Sequence, residues 1–357
     1  MKKKIEITYA RAFFCITIVA IHSFPGLLND ADTPDASLPF YEFLRVLLLF
    51  ATPSFIILSE ILLSMRYSNG LPDDFFLKRI KFILMPYILI GTFFSLMNYL
   101  DAEGSQGFFE IFTNNVLYGN WHGWFIIVIF QFYILHALFY KWLNKANPLI
   151  MLVISFLISL THSLLAYAYE PYFQWWDTYY PFHNRTALPF WIFYFIFGYY
   201  LGKNYERIMS SVKQHLWPLC GLWVLSVLWI FIMYHFFDVT YVKSYRFDLL
   251  LYTVFTFLLV LYLMQVIGKH KFTLLLLISD VSFFIYLSHP LVNSYLSKAL
   301  ASFVGVPSIF LILLTLFTLG FSLGMAFVLS HFPLSRFVIG KNSLHKMLDK
   351  HFSHDAG

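Results

Sequence analysis

Charge is what this chain lacks. Only 12% of its 357 residues are charged, where soluble proteins carry roughly a quarter. Phe alone, at 43, matches the 24 basic and 19 acidic residues together. With 59% hydrophobic residues and a mean hydropathy of +0.69, the apolar surface exceeds what one soluble core can hide behind a polar exterior. A nucleic-acid binder is excluded as well, because the net charge of +5 is spread in small clusters at the ends of apolar runs. Cysteine is nearly absent. Cys15 and Cys220 both lie inside apolar segments, which leaves no disulfide framework and no CxxC metal site. There is no Walker loop, no GxGxxG after a strand, no His/Cys metal spacing and no GxSxG elbow, so no metal or resident cofactor is expected.

What is present is a succession of apolar runs. A spanning helix needs about 20 mostly apolar residues, and ten segments qualify: 6–28, 40–63, 80–99, 121–143, 149–168, 187–202, 216–236, 247–267, 273–295 and 307–331. The fold class this predicts is all-α: a polytopic transmembrane helical bundle of about ten spans. Met1-Lys2-Lys3-Lys4 looks like a signal-peptide start, but the run behind it has no small-residue cleavage site and reads as a retained first helix.

Ten spans put both termini on one side, and the positive-inside rule names that side the cytoplasm. Eighteen of the 24 basic residues then fall in inner connections. They include Lys2, Lys3 and Lys4, the run Arg66, Lys78, Arg79 and Lys81, and the tail residues Arg336, Lys341, Lys346 and Lys350. The outer loops hold only Arg185, Lys243, Arg246 and Lys298. Outer residues 29–39 are acidic and contain proline (Asp30, Asp32, Pro34, Asp35). The 169–186 connection is crowded with rings, among them Tyr172, Trp175, Trp176, Tyr179 and Tyr180. Two readings of that crowd stand: an aromatic belt at the membrane interface, or a platform on which sugar rings stack. No repeat, low-complexity tract or soluble appendage interrupts the chain, so residues 1–357 read as a single domain.

Ionisable groups inside hydrocarbon are costly and are the default functional candidates. Here they are Glu6, Arg11 and His22 in the first span, Glu42, Arg45 and Glu60 in the second, Asp248 in the eighth, and Asp280 and His289 in the ninth, with His136 and His162 between. Arg11 and His22 are eleven positions apart. In a helix that leaves them about 20° apart around the axis and about 16 Å apart along it. A basic group low on one face and an imidazole high on the same face could hold both ends of a long substrate with an anionic head, and a coenzyme A pantetheine arm has about that reach. Lys78, Arg79 and Lys81 open the third span; they serve as a topology signal and would also suit phosphate groups. Ser282, Tyr286 and His289 fall at i, i+4 and i+7, a polar stripe on an apolar helix. Pro290 removes a backbone donor just beyond and is expected to bend the helix. Such a stripe also serves as glue between helices.

Several stretches resemble the acyltransferase-3 family of integral membrane acyltransferases. They are Arg11 with His22 in the first span, Pro53-Ser54-Phe55-Ile56-Ile57-Leu58-Ser59, the basic cluster at 78–81, Trp121-His122-Gly123-Trp124-Phe125 and Ser282-Phe283-Phe284-Ile285-Tyr286-Leu287-Ser288-His289-Pro290. The resemblance runs over about residues 5–340. Two departures stand out. Ser59-Glu60 occupies a place where the family usually has Ser-Gly, and Lys78-Arg79-Ile80-Lys81 matches its Arg-x-x-Arg only loosely. The family implies transfer of an acyl group from cytoplasmic acyl-CoA to a hydroxyl of an extracytoplasmic sugar. Tyr9-Ala10-Arg11-Ala12, Trp191-Ile192-Phe193-Tyr194-Phe195 and Phe337-Val338-Ile339-Gly340-Lys341 are similar to stretches of members encoded beside a poly-N-acetylglucosamine synthase. That likeness implies O-succinylation of extracellular poly-β-1,6-N-acetylglucosamine with succinyl-CoA as co-substrate, a role beside the synthase complex, or in an older assignment export of the polymer.

Joined to the residues, the resemblance gives definite roles. Arg79, Lys78 and Lys81, with Arg11, hold the donor's phosphates. His22 is the general base on the sugar hydroxyl, since imidazole alone is poised to take a proton near neutral pH. Tyr286, His289 or Arg45 supplies the donor to the oxyanion. No Ser or Cys is marked as an activated nucleophile, which favours direct transfer, with an acyl-histidine or acyl-serine relay left open.

Overall fold

The computed structural model describes residues 4–31, 34, 37–101 and 106–340. Lys2, Lys3, Asp32, Asp35, Lys341, Lys346 and Lys350, which entered the charge pattern, lie outside the described residues. Among those described there is no strand, as the apolar runs predict. Fourteen α-helices carry the fold: α1 (Ile5–Asn29), α2 (Leu38–Leu48), α3 (Ala51–Arg66), α4 (Phe75–Asp101), α5 (Phe108–Phe112), α6 (Phe125–Lys145), α7 (Pro148–Ala168), α8 (Glu170–Tyr179), α9 (Ile192–Lys203), α10 (Tyr205–Gln214), α11 (Leu216–Phe236), α12 (Leu249–Ile267), α13 (Thr273–Ala301) and α14 (Pro307–Ser330). Local chemistry sets several ends. Asn147 caps α7 with its side-chain oxygen, accepting from the Leu149 and Ile150 N–H groups at 2.9 and 3.3 Å, and Pro148 takes the first helical position, where its missing N–H costs nothing.

Nine segments among the described residues are long and apolar enough to cross a membrane, against ten expected. The difference lies at 187–202. There the helix proper, α9, has 12 residues and follows two single 3₁₀ turns, so by itself it rises only about 18 Å. It is also buried on nearly every side, from Phe193 to Gly202. The second expected span is broken as well, at Leu49 and Phe50, into α2 and α3.

The chain sorts into two compact units interleaved in sequence. One comprises Met1–Ile7, Leu49–Phe75 and Thr113–Ile267; the other Thr8–Leu48, Phe76–Phe112 and Gly268–Gly357. Breaking the second span at residue 48 is what hands the chain from the second unit to the first.

The first unit is centred on α9 against α3. Gly198 and Gly202 permit the approach: a Cβ at Gly198 would stand 2.9 Å from the Ile57 carbonyl oxygen, and one at Gly202 would stand 2.7 Å from that of Ile61. Small residues at a helix crossing are the usual way to bring backbones together in a membrane, where no hydrophobic drive separates helix from lipid. Ser159 of α7 ties in the start of α9 by donating to the Pro189 carbonyl at 2.8 Å and accepting from Phe193 N–H at 3.2 Å. Tyr205, Met209 and Val212 form the buried face of α10, at helical spacing.

The second unit packs α1, α2, α13 and α14 around Phe24, Leu27, Phe310 and Leu314, all with no exposed surface, flanked by Leu44, Leu48 and Leu296. Gly26 lets α13 close on α1; a Cβ there would lie 2.9 Å from the Ser297 Cβ. A polar ladder crosses the same contact. Asn293 donates to Ser23 Oγ at 2.8 Å and Thr315 donates to it at 3.3 Å, while Ser297 donates to the Asp30 carboxylate. Buried polar bonds of this kind fix which faces meet. They also set α1 and α13 in register at the level of His22.

Candidate active site

All eight residues singled out as a site from the sequence fall in the second unit. Four of them come together. The His22 and His289 rings meet edge to face with centroids 4.8 Å apart and planes at 62°. The Tyr286 ring lies 6.3 Å from that of His289, one turn back along α13. Arg45 of α2 is close enough to His22 to act on it electrostatically, with Glu42 acting on Arg45 in turn.

The two histidines are held differently. Pro290 has no N–H, so the Tyr286 carbonyl loses its helical partner. His289 Nδ1 takes that place, donating at 2.9 Å to Tyr286 O and at 3.0 Å to Ile285 O. The helix therefore runs on through Pro290 as one element from Thr273 to Ala301. A carbonyl only accepts, so the proton of the neutral ring sits on Nδ1, and Nε2 carries the lone pair. His289 has no exposed surface. His22 is half-buried and its ring nitrogens make no hydrogen bond among the described residues. Arg45 is half-buried too, and its buried Nε lacks a hydrogen-bond partner among them.

The other four expected residues lie on two elements. Arg11 is half-buried on α1, on the His22 face, about 16 Å away by helical rise. Lys78, Arg79 and Lys81 open α4, with Lys78 and Lys81 exposed and Arg79 half-buried. Just there α4 widens into a π turn, Ile80–Leu84, closed by the Met85 N–H on the Ile80 carbonyl. Pro86, next along, has no N–H to keep the usual register, and π turns of this kind are frequent at functional sites.

Sequence reasoning missed a partner of this cluster. Lys81 Nζ sits 5.4 Å from the Phe337 ring centroid, and Arg336 stacks on the same ring at 5.3 Å, both within cation–π range. The segment is pinned by Gly340 at φ +81°, a conformation that favours glycine, where a Cβ would lie 3.2 Å from the Phe82 carbonyl oxygen. Arg336 had been visible only as one more inner-loop charge. Nothing in its spacing from Lys81 shows that Phe337 joins them.

The first unit also carries ionisable groups in enclosed pairs, with Glu60 Oε2 left without a hydrogen-bond partner among the described residues. Glu60 and His136, both with no exposed surface, meet at 2.7 Å, and His136 Nε2 lies 3.3 Å from the Tyr67 carbonyl. Gly198 makes room for this carboxylate, its ideal Cβ position lying 3.0 Å from the Glu60 Cβ. Arg246, fully buried, forks onto Asp248 at 2.9 and 2.6 Å and donates to the Tyr241 carbonyl at 3.0 Å. Among the connections, His183 is held down at about 4 by burial and by the Arg185 charge beside it. Its Nδ1 accepts from the Arg185 backbone N–H and Nε at 3.3 and 3.2 Å.

A family profile described as an acyltransferase domain matches residues 4–330. The chain belongs to the acyltransferase-3 family. As a member of that family with nine membrane-length helices among the described residues, it is a multi-pass membrane protein. It is 35% identical over 347 residues to a Staphylococcus aureus (strain MSSA476) protein named as a probable poly-β-1,6-N-acetyl-D-glucosamine export protein, covering 96% of this chain and 97% of that one. A Staphylococcus epidermidis protein of the same name is 33% identical over 352 residues, covering 98% of both. No solved structure matches. The acyltransferase-3 profile spans both units of the chain. The four residues brought together around His22, and the basic opening of α4, all lie within it.

Proposed function

We propose that this membrane acyltransferase moves an acyl group, succinyl in the reading we favour, from cytoplasmic acyl-CoA to a hydroxyl of extracellular poly-N-acetylglucosamine. The observation that carries the reading is the His22–His289 ring contact, with one imidazole locked to its own helix and the other left with open nitrogens beside an arginine.

The division of labour follows from that contact. With the N-terminus in the cytoplasm, α1 rises from inside, and His22 lies about 25 Å from its start, in the outer half of a roughly 30 Å core. The donor's phosphates rest on Lys78, Arg79 and Lys81 at the inner surface, with Arg11 along the path, and the pantetheine arm delivers the thioester upward. His22 accepts the proton of the sugar hydroxyl as its oxygen attacks the thioester carbonyl. The tetrahedral oxyanion then collapses and the C–S bond breaks. The coenzyme A thiolate leaves with the proton that His22 took, and the sugar keeps the acyl ester. Of the three candidate donors to the oxyanion, Arg45 fits best, because its guanidinium has N–H groups to offer. Tyr286 can add its hydroxyl. His289, with Nδ1–H spent on the backbone, fits an acceptor role through Nε2 instead.

The relatives' name favours a second reading, export of the polymer. One experiment separates the two: the mass and amount of acyl substituent on surface polymer from cells with and without the protein. Loss of a substituent on polymer that still reaches the surface supports transfer; loss of surface polymer whose remainder keeps its substituent supports export. Sidedness has its own check. In a chain with Cys15 and Cys220 replaced, a cysteine put at position 22 should react with an impermeant thiol reagent from outside, and one put at position 81 from inside only.

A further inference from the structure

Three pairs of residues climb α1 and α13 together: His22 with His289, Ser23 with Asn293, and Gly26 with Ser297. The two helices therefore run parallel, and the Ser23–Asn293 bond sits between the ring contact and the close approach at Gly26. Ser23 is the chain neighbour of His22, and Asn293 lies one turn beyond His289. Both side chains are buried.

Of the polar groups at this level, Asn293 is the one with hydrogens to give across helices. A hydroxyl has a single hydrogen, whereas an amide has two. Ser23 Oγ has the Val19 carbonyl of its own helix at 3.0 Å, and Thr315 Oγ1 has that of Leu311 at 2.8 Å. Asn293 Nδ2 gives to Ser23 Oγ of α1 at 2.8 Å and reaches Thr318 Oγ1 of α14 at 3.4 Å.

We propose that Asn293 is a positioning residue for acyl transfer: its amide holds Ser23, and so the adjoining His22, at the height where the two imidazoles meet. The role presumes the function proposed above, with His22 as the general base. A ring contact alone lets the helices slide, whereas a short hydrogen bond resists sliding because it weakens steeply away from its geometry. Displacing a catalytic group by about 1 Å can cost about 10²-fold in rate. Polar side chains between membrane helices act as glue wherever they fall; the place of this bond is what gives it a second role. The other polar contact between these segments, Ser297 with Asp30, joins beyond the last residue of α1, more than two turns past His22.

The test is acyl transfer by the full chain in lipid nanodiscs, from succinyl-CoA to a β-1,6-linked N-acetylglucosamine hexamer. Asn293→Leu, which keeps the size and removes the amide, should lower kcat about tenfold or more, with KM for succinyl-CoA and melting temperature near native. Ser23→Ala, which removes the acceptor, should do the same. Thr318→Val removes only the longer bond and should leave kcat near native. Because the effect runs through His22, Asn293→Leu should take nothing further from the residual rate of His22→Ala, where a purely structural role would subtract again. Native kcat in either folded variant overturns the proposal. So does failure of both to fold, which makes the bond a support of the fold alone. A second readout is independent of activity: in a cryo-electron microscopy structure of Asn293→Leu, the His22 and His289 rings should stand further apart than 4.8 Å. If the native chain transfers no acyl group and the rings still part, the functional reading falls and the positioning stands. If transfer is seen and the rings stay together, the positioning falls alone.

Discussion

The two units treat buried charge in opposite ways. In the first, Arg246 and Asp248 satisfy one another in a bidentate fork, and Glu60 and His136 meet in a second enclosed pair. In the second, His22 and Arg45 are half-buried within electrostatic reach of each other, and Arg45 Nε has no hydrogen-bond partner among the described residues. Burying ionisable groups is costly in both units. Closed pairs recover that cost within the protein and hold helices in place. Open groups recover it only when a ligand brings complementary charge or protons. Both kinds are buried ionisable residues; under the proposed function it is the second kind that does the chemistry.

The largest effect should come from removing an open group. His22→Ala is expected to lower acylation of the polymer by about 10²-fold or more, the span of general-base catalysis, with melting temperature and surface polymer near native. Arg45→Met should cost a comparable factor through the oxyanion. If either variant unfolded without a specific loss of transfer, the open groups would be structural and the contrast would fail.

Removing one member of a closed pair should act on stability. Arg246→Ala and Asp248→Ala each leave a buried charge alone, a loss of about 3–5 kcal/mol, seen as low folded yield and a lowered melting temperature. Chain that does fold should keep its kcat. A double replacement by apolar residues of similar size should recover much of the loss, because it strands no charge.

A milder result is expected at α4. Neutralising Arg79 together with Lys81 should raise KM for acyl-CoA more than it lowers kcat, since phosphate anchoring is largely uniform binding. Arg336→Gln should add to the KM effect if Phe337 couples it to Lys81. A change confined to kcat would remove the docking role.

How much of this was legible beforehand differs between the same regions. Hydropathy alone carries nine of the spans, because each is a run of apolar residues long enough to cross on its own. Residues 187–202 hold a helix of only 12 residues that is as apolar as one facing lipid, and only the contacts of Gly198 and Gly202 with α3 show that it is buried inside protein. The pairing of His22 with His289 was half visible. Each stood out as a costly residue, and Pro290 announced a freed carbonyl, but that His289 itself fills it depends on a rotamer. Pairs such as Glu60 with His136 were not legible at all: 76 positions separate them, and no periodicity links α3 to α6.

The smallest effect concerns His183, which lies outside the spans and so can be titrated from water. Its ring is held at about 4 against an ordinary value of 6.5, first by burial and then by Arg185. Between those values the unfolded chain binds a proton that the folded chain does not, so stability rises with pH across the window and falls as pH drops through it. The geometry gives the cause: Nδ1 accepts two bonds from Arg185, and a proton there would break both and set two cations together. Lowering the pH from 7.5 to 5 should therefore lower the melting temperature. His183→Gln, which keeps an acceptor and cannot titrate, should flatten part of that slope. Other buried histidines contribute in the same range, so the comparison that matters is the difference in slope between the two chains. An identical slope would mean that His183 is free to protonate where it stands, and that the loops around it open more readily than their hydrogen bonds imply.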